Sequence, residues 1–180
     1  MTSSEIKIRQ EQNADVTTVF DVVTQAFQQT YEALLVDRLR SGAAFIPELS
    51  LVATLNNRIV GHILFTELLI QSGEQTISGA LAMAPVAVIP GYQKMGVGSL
   101  LIRKGLEIAA GMGYKAVVVL GHAGYYPKFG FEPAAKWNIH APFEVPSINF
   151  MALELIPGAL ERMSGTVIYA PEFGIGGEDH

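Results

Sequence analysis

Residues suited to chemistry are concentrated in one stretch of this 180-residue sequence, Pro90-Gly91-Tyr92-Gln93-Lys94-Met95-Gly96-Val97-Gly98-Ser99. It joins a β-prone run to a helical one, so it lies at a helix start, where consecutive amides point outward with no partner in the helix. Gly96 and Gly98 have no side chain to hold an anion off that backbone, and the helix dipole adds partial positive charge. A pyrophosphate suits such a turn. The alternative is that both glycines serve only tight strand-to-helix packing. Two phosphate motifs are excluded. Gly91 and Gly96 have the Walker separation, but Val97-Gly98 stands where Lys-Ser/Thr is required. Gly96-x-Gly98 is followed by Leu101 where the dinucleotide fingerprint has its third glycine.

The elements that must position this turn follow from periodicity. Glu5 to Arg9 alternates apolar and polar, as a half-buried strand does. Val16, Val19, Phe20, Val23 and Phe27 then recur at helical spacing, with Asn13 as the expected cap. A second helix spans about Tyr31 to Arg40 and stops near Gly42, and Ala43 to Glu48 reads as a loop. Leu49 to Leu55 and Arg58 to Leu69 form a hairpin about Asn56-Asn57, since asparagine tolerates the positive φ of a two-residue turn. After the polar segment Gln71 to Gln75, a third strand covers Thr76 to Ile89, with Pro85 at a bulge or an unpaired amide. Past the glycine turn, Leu101, Ile102, Leu106, Ala109 and Met112 make the apolar stripe of a helix that Gly113 ends. Lys115 to Leu120 is a continuous apolar run of the kind buried on both faces of a sheet. Phe131 onward is irregular, and Asn149 to Leu155 is a further strand. Three antiparallel strands, then a strand, helix and buried strand, predict an α/β (α+β) fold. Its central sheet is mixed and mostly antiparallel, flanked by helices, with one parallel β-α-β crossover.

Composition narrows the function. The length predicts a single domain over 1–180, with a core of about 5–156 and an extension and tail over 157–180, frayed from Gly174. There is no cysteine, which excludes disulfides, thiol nucleophiles and thiolate zinc sites. His62, His122, His140 and His180 lack paired ligand spacing, so no metal is expected. Seventeen acids against twelve bases give a net charge of -5, which opposes binding to nucleic acid. The richest apolar stretch, Gly79 to Tyr92, contains Pro85 and Pro90 and falls short of the roughly 20 residues of a membrane crossing. Met1 to Glu5 shows no basic segment followed by an apolar one, so the expected location is cytoplasmic. No Gly-x-Ser-x-Gly elbow is present.

The run Val86-x-Val88-x-Pro90-x-x-Gln93-x-x-Gly96-x-Gly98 resembles the acetyl-CoA signature of the GNAT family of N-acetyltransferases. Tyr125-Tyr126-Pro127-Lys128-Phe129-Gly130-Phe131 resembles that family's Tyr-x-x-x-Gly-Phe segment. The likeness covers about Ile6 to Leu155. It implies that Lys94, Met95, Gly96, Val97, Gly98 and Ser99 cradle the pyrophosphate of coenzyme A, with Gln93 as the motif's first residue. It also implies that Ala87 and Val88 pair with the pantetheine arm and aim an amide at the thioester carbonyl. Tyr126 aligns with the tyrosine that protonates the departing thiolate. A phenol with a pKa of about 10 suits that task. Its alternative is a core aromatic beside Phe129 and Phe131, and Tyr125 is read as packing. The family's asparagine and longer helix before the tyrosine are replaced here by Gly121-His122-Ala123-Gly124, as in a small bacterial subgroup with Leu-Gly-His and Tyr-Tyr-Pro at this place. Gly165 to Tyr169, beyond the common core, adds a strand or touches a partner chain.

The implied reaction is acetyl transfer from acetyl-CoA to an amine in a ternary complex. An ammonium must lose a proton before it attacks. His122, directly after the buried strand, is the first candidate base, or else it caps a loop or lines the pantetheine groove. Glu67 activates a water or is simply solvated, and His62 is a sheet residue. His140 and Trp137 line the acceptor pocket or cover the core, and Tyr31, Glu32, Asp37 and Phe45 are further lining candidates. The partner is a small-molecule or peptide amine, and a homodimer is compatible with the family. The alternative function is a non-catalytic acyl-CoA sensor or interaction module on the same fold.

Overall fold

The computed structural model describes residues 5–175. In chain order they form β1 (Ile6–Gln10), α1 (Val16–Phe27), α2 (Tyr31–Arg40), β2 (Phe45–Leu55), β3 (Arg58–Ser72), β4 (Gln75–Val88), α3 (Val97–Gly111), β5 (Ala116–Leu120), β6 (Glu132–Pro133), β7 (Ile139–His140), β8 (Phe150–Glu154) and β9 (Gly165–Ile168). The sheet order is β1-β2-β3-β4-β5-β8-β6, with β9 on β3 and β7 on β9. As expected, it is mixed and mostly antiparallel. β4 and β5 run parallel from Ala80↔Ala116 to Ala82↔Val118, with α3 in the connection. A second, two-residue parallel pairing joins β7 to β9. The expected frayed tail lies outside the described residues from 176 onward, as does most of the amino-terminal segment read for targeting. Among the described residues no helix is long and apolar enough to cross a membrane.

Contacts group the chain into two compact units, one up to Phe65 plus Ala84–Ile108, the other of Thr66–Met83 plus Ala109 onward. β3 and β4 contribute to both. In the first unit, α1 buries Val19 and Val23 and α2 buries Leu35 and Leu39, the helical stripes that periodicity requires. Asn56 and Asn57 both take positive φ, 52° and 63°, so the β2–β3 turn is the one their side chains tolerate. In the second unit, Ala116 and Val118 of β5 pack with Ala80, Ala82, Phe150, Ala152 and Val167 in one apolar cluster. β9 pairs antiparallel with Leu69–Gln71, so the Gly165 segment does add a strand.

Three local expectations are corrected. Asn13 does not cap α1. It opens a single 3-10 turn, Asn13–Asp15, and the Asp15 carboxylate accepts from Gln12 N–H at 2.7 Å and from Arg9 at 2.7 Å. Phe45–Glu48 is strand rather than loop. β1 pairs only with Leu51–Leu55, so Pro47 lies outside that ladder, where its missing N–H costs no β1 bond. Met112 is 43% exposed because α3 stops at Gly111 and Gly113 turns the chain at φ 92°. The stripe therefore ends at Ala109.

Candidate active site

The glycine turn belongs to the first unit. Ile89 N–H donates to Val60 O at 3.0 Å, fixing the end of β4 against β3, and the Gln93 side-chain amide donates to Val88 O at 2.9 Å. Gln93 thus ties the turn back to the strand. Lys94 at φ 65° and Gly96 at φ 87° reverse the chain into α3. Leu100 N–H makes the first helical bond, onto Gly96 O at 3.0 Å. The amides of Gly96, Val97, Gly98 and Ser99 precede it and have no intrahelical acceptor.

A Cβ on Gly96 would meet nothing within 4 Å. Tight packing is therefore not why glycine stands there; the left-handed φ and the open space above the backbone are. Val97 is 1% exposed and anchors the turn, while Lys94, Met95 and Gly96 face solvent and Gly98 and Ser99 are half-buried. Four amides without helical acceptors, a helix N-terminus and the exposed Lys94 side chain suit a pyrophosphate. Ala87 is buried and Val88 half-buried at the end of β4.

The second unit holds His122 and Tyr126. Where β5 ends, Gly121 N–H donates to Asn149 O at 2.9 Å, and Asn149 Nδ2 returns a bond to Gly121 O at 3.0 Å. The His122 carbonyl accepts from Tyr125 N–H at 3.1 Å, curling the chain into the 3-10 turn Tyr126–Phe129. The Tyr126 ring meets Tyr125 edge-on at 5.0 Å and Phe131 at 6.0 Å. A Cβ on Gly121 would run into its Cε2 and Cδ2, so glycine there makes room for the ring. Burial, reinforced by the neighbouring Tyr125, pushes the Tyr126 phenol above its ordinary value. The phenol therefore keeps its proton at neutral pH. Tyr125 packs against Phe129 at 5.3 Å and lies 4.2 Å under Lys128 Nζ. The His122 side chain is exposed.

Glu67 accepts from the Tyr114 hydroxyl at 2.9 Å. Trp137 packs on the second unit's apolar cluster, whereas His140 lines a cavity of about 240 Å³. Tyr31 is 55% exposed, Glu32 accepts from Gln29 at 3.0 Å, and Asp37 pairs with Arg40 at 2.7 Å. Neither these three nor Phe45 lines that cavity. Among the described residues, no group of three or more His, Cys, Asp or Glu is arranged to hold a metal ion.

A buried polar chain in the first unit has no counterpart in the sequence reading. Arg40 Nη2 meets Glu11 Oε2 at 2.7 Å, Ser50 Oγ donates to Glu11 Oε1 at 2.8 Å, and His62 Nε2 lies 3.0 Å from Ser50 Oγ. The single Ser50 proton goes to Glu11, so His62 Nε2 must be the donor to Ser50. That leaves Nδ1 as an acceptor, buried and without a partner. Burial pushes the His62 pKa down to about 4; Glu11 opposes the shift and Arg40 adds to it. The partners lie 12, 29 and 39 positions apart in sequence, which no local pattern reveals.

Residues 7–134 match the family model of the acetyltransferase (GNAT) domain. The N-acetyltransferase YjhQ of Escherichia coli K12 is 45% identical over 134 residues, 74% of each chain. The N-acetyltransferase YhbS of the same organism is 31% identical over 167 residues, 92% of this chain and 97% of its own. The crystal structure of E. coli YhbS in complex with CoA superposes with a TM-score of 0.89, at 28% identity, over 98% of this chain and 96% of that one. A GNAT acetyltransferase from Brucella melitensis in complex with acetyl-CoA gives a TM-score of 0.76 at 31% identity, over 95% and 99%.

Proposed function

The chain belongs to the GNAT acetyltransferase family, and we propose that it moves the acetyl group of acetyl-CoA onto a primary amine by direct transfer within a ternary complex. The observation that carries this reading is the run of four amides, Gly96 to Ser99, left without helical acceptors at the start of α3. In this reading Lys94, Met95, Gly96, Val97, Gly98 and Ser99 receive the pyrophosphate, and Gln93 braces their turn on Val88. The registered pairing of β4 with β5 ends at Ala82, which supports giving the later backbone, Ala87 and Val88, to the pantetheine arm and the thioester carbonyl.

Acetyl-CoA supplies an activated acyl group, so no covalent enzyme intermediate is needed. The amine nitrogen bonds to the acetyl carbon as the carbon–sulfur bond breaks. Tyr126 gives its hydroxyl proton to the departing thiolate, and the proton shed by the acceptor leaves through His122 or water. Proximity and an amide aimed at the developing oxyanion supply most of the rate. The whole chain acts as one N-acetyltransferase domain in the cytoplasm, and light scattering checks for a homodimer.

The test is release of free CoA thiol from acetyl-CoA across a panel of primary amines. Amine-dependent release supports acetyl transfer. Acetyl-CoA binding with no release for any amine turns the reading to a non-catalytic acyl-CoA sensor or interaction module.

A further inference from the structure

The Tyr126 ring is held by Gly121, Phe131 and Tyr125. Gly121 comes so close that a Cβ there would run into the ring, and Asn149 fixes Gly121 through hydrogen bonds of 2.9 and 3.0 Å. Phe131, buried in the core, meets the ring edge-on at 6.0 Å. These two neighbours are anchored backbone and buried core. Tyr125, edge-on at 5.0 Å, is only half-buried, so its own position depends on what holds it from outside.

Phe129 meets Tyr125 at 5.3 Å and 69°, and Lys128 closes over both rings. Its ammonium lies 4.2 Å from the centre of the Tyr125 ring and 5.3 Å from that of Phe129, inside the roughly 6 Å over which a ring face attracts a cation. The sequence sets up this contact: Tyr125 leads into the 3-10 turn Tyr126–Phe129, and side chains three residues apart in such a turn lie one above the other. Lys128 is exposed, and its ammonium has no carboxylate or hydrogen-bond acceptor among the described residues. Instead of extending into water it caps two aromatic rings, one of which is a wall of the tyrosine assigned to protonate the thiolate.

We propose that Lys128 is a positioning residue for that proton transfer. Its ammonium pins Tyr125 against Tyr126 and so keeps the Tyr126 hydroxyl where the departing thiolate collects its proton. Lys128 gives up no proton in this role and acts only through the two rings. This rests on the acetyl-transfer reading above, with Tyr126 as its acid.

The test is the thiol-release assay on wild type, Lys128→Met and Lys128→Arg, with the amine of the panel that gives the fastest release. Methionine keeps an unbranched stem and loses the charge, whereas arginine restores a cation that stacks on aromatic faces. In Lys128→Met kcat should fall roughly two- to fivefold, the worth of such a contact at an exposed site, with the KM for acetyl-CoA unchanged. In Lys128→Arg it should return to the wild-type value. In Tyr125→Leu, which offers the cation no ring at that position, adding Lys128→Met should leave kcat as it is. An undiminished kcat in Lys128→Met, a loss that arginine does not restore, or an equal loss in the Tyr125→Leu background would overturn the proposal. Two further results separate its failure from that of the reading beneath it. A wild-type kcat in Tyr126→Phe would remove the acid and the proposal with it, and a wild type that releases no thiol with any amine would remove acetyl transfer itself.

Discussion

Replacing His62 by Gln should flatten the acid limb of the protein's stability. In the folded chain His62 is fully buried and neutral, its pKa pushed down to about 4 from an ordinary 6.5. Unfolding exposes it to water and lets it bind a proton at any pH below about 6.5. The folded pKa is the lower one, so the contribution is complete above pH 6.5 and is lost as the pH falls toward 4. Each unit of difference corresponds to about 1.4 kcal/mol. Between pH 7 and pH 4.5 wild type should therefore lose about 2 kcal/mol through this group alone. Glutamine keeps a donor for Ser50 and has no proton to gain. Urea denaturation of both proteins at pH 7, 6, 5 and 4.5 isolates the effect, since the carboxylates and other groups titrate alike in each. The gap in unfolding free energy between the two proteins should shift by about 2 kcal/mol across that range. Parallel curves, agreeing within about 0.5 kcal/mol, would show that His62 is not held neutral and would refute the account of its burial.

Ser50→Ala should cost about 1–3 kcal/mol, read from urea midpoints, because it strands the His62 Nε2–H and takes a donor from Glu11. Gly121→Ala should displace the Tyr126 ring, lowering turnover and costing about 1–3 kcal/mol by overpacking, with the KM for acetyl-CoA unchanged; unaltered turnover would contradict the close approach at that glycine. Tyr126→Phe should lower kcat by about 10²-fold or more with little change in acetyl-CoA affinity, and an undiminished kcat would remove Tyr126 from the mechanism.

Sequence patterns of short range translate directly into structure here. The helix over Tyr31–Arg40, the Asn56-Asn57 turn and the buried strand ending at Leu120 each depend on residues within one or two turns of each other. The Gly96-x-Gly98 turn and the tyrosine pair are legible for the same reason. Expectations fail where a partner distant in sequence decides. Asp15 answers to Arg9 as well as to its own turn, so capping goes to Gln12 and Asp15 rather than Asn13. Pro47 sits in a strand because β1 stops short of it. Glu11, Arg40, Ser50 and His62 read as four unrelated polar residues until the fold brings them together. His140 belongs to a segment without periodicity, where only three-dimensional packing reveals the cavity it lines.

The central claim is that Gly96 to Ser99 bind the pyrophosphate of acetyl-CoA. Calorimetric titration of acetyl-CoA into wild type and Gly96→Glu tests it most directly, with circular dichroism to verify that both are folded. The variant puts bulk and negative charge into space that is open above Gly96. Saturable binding by wild type that disappears in a folded variant is the expected result. No binding by wild type, or undiminished binding by the variant, would contradict the claim.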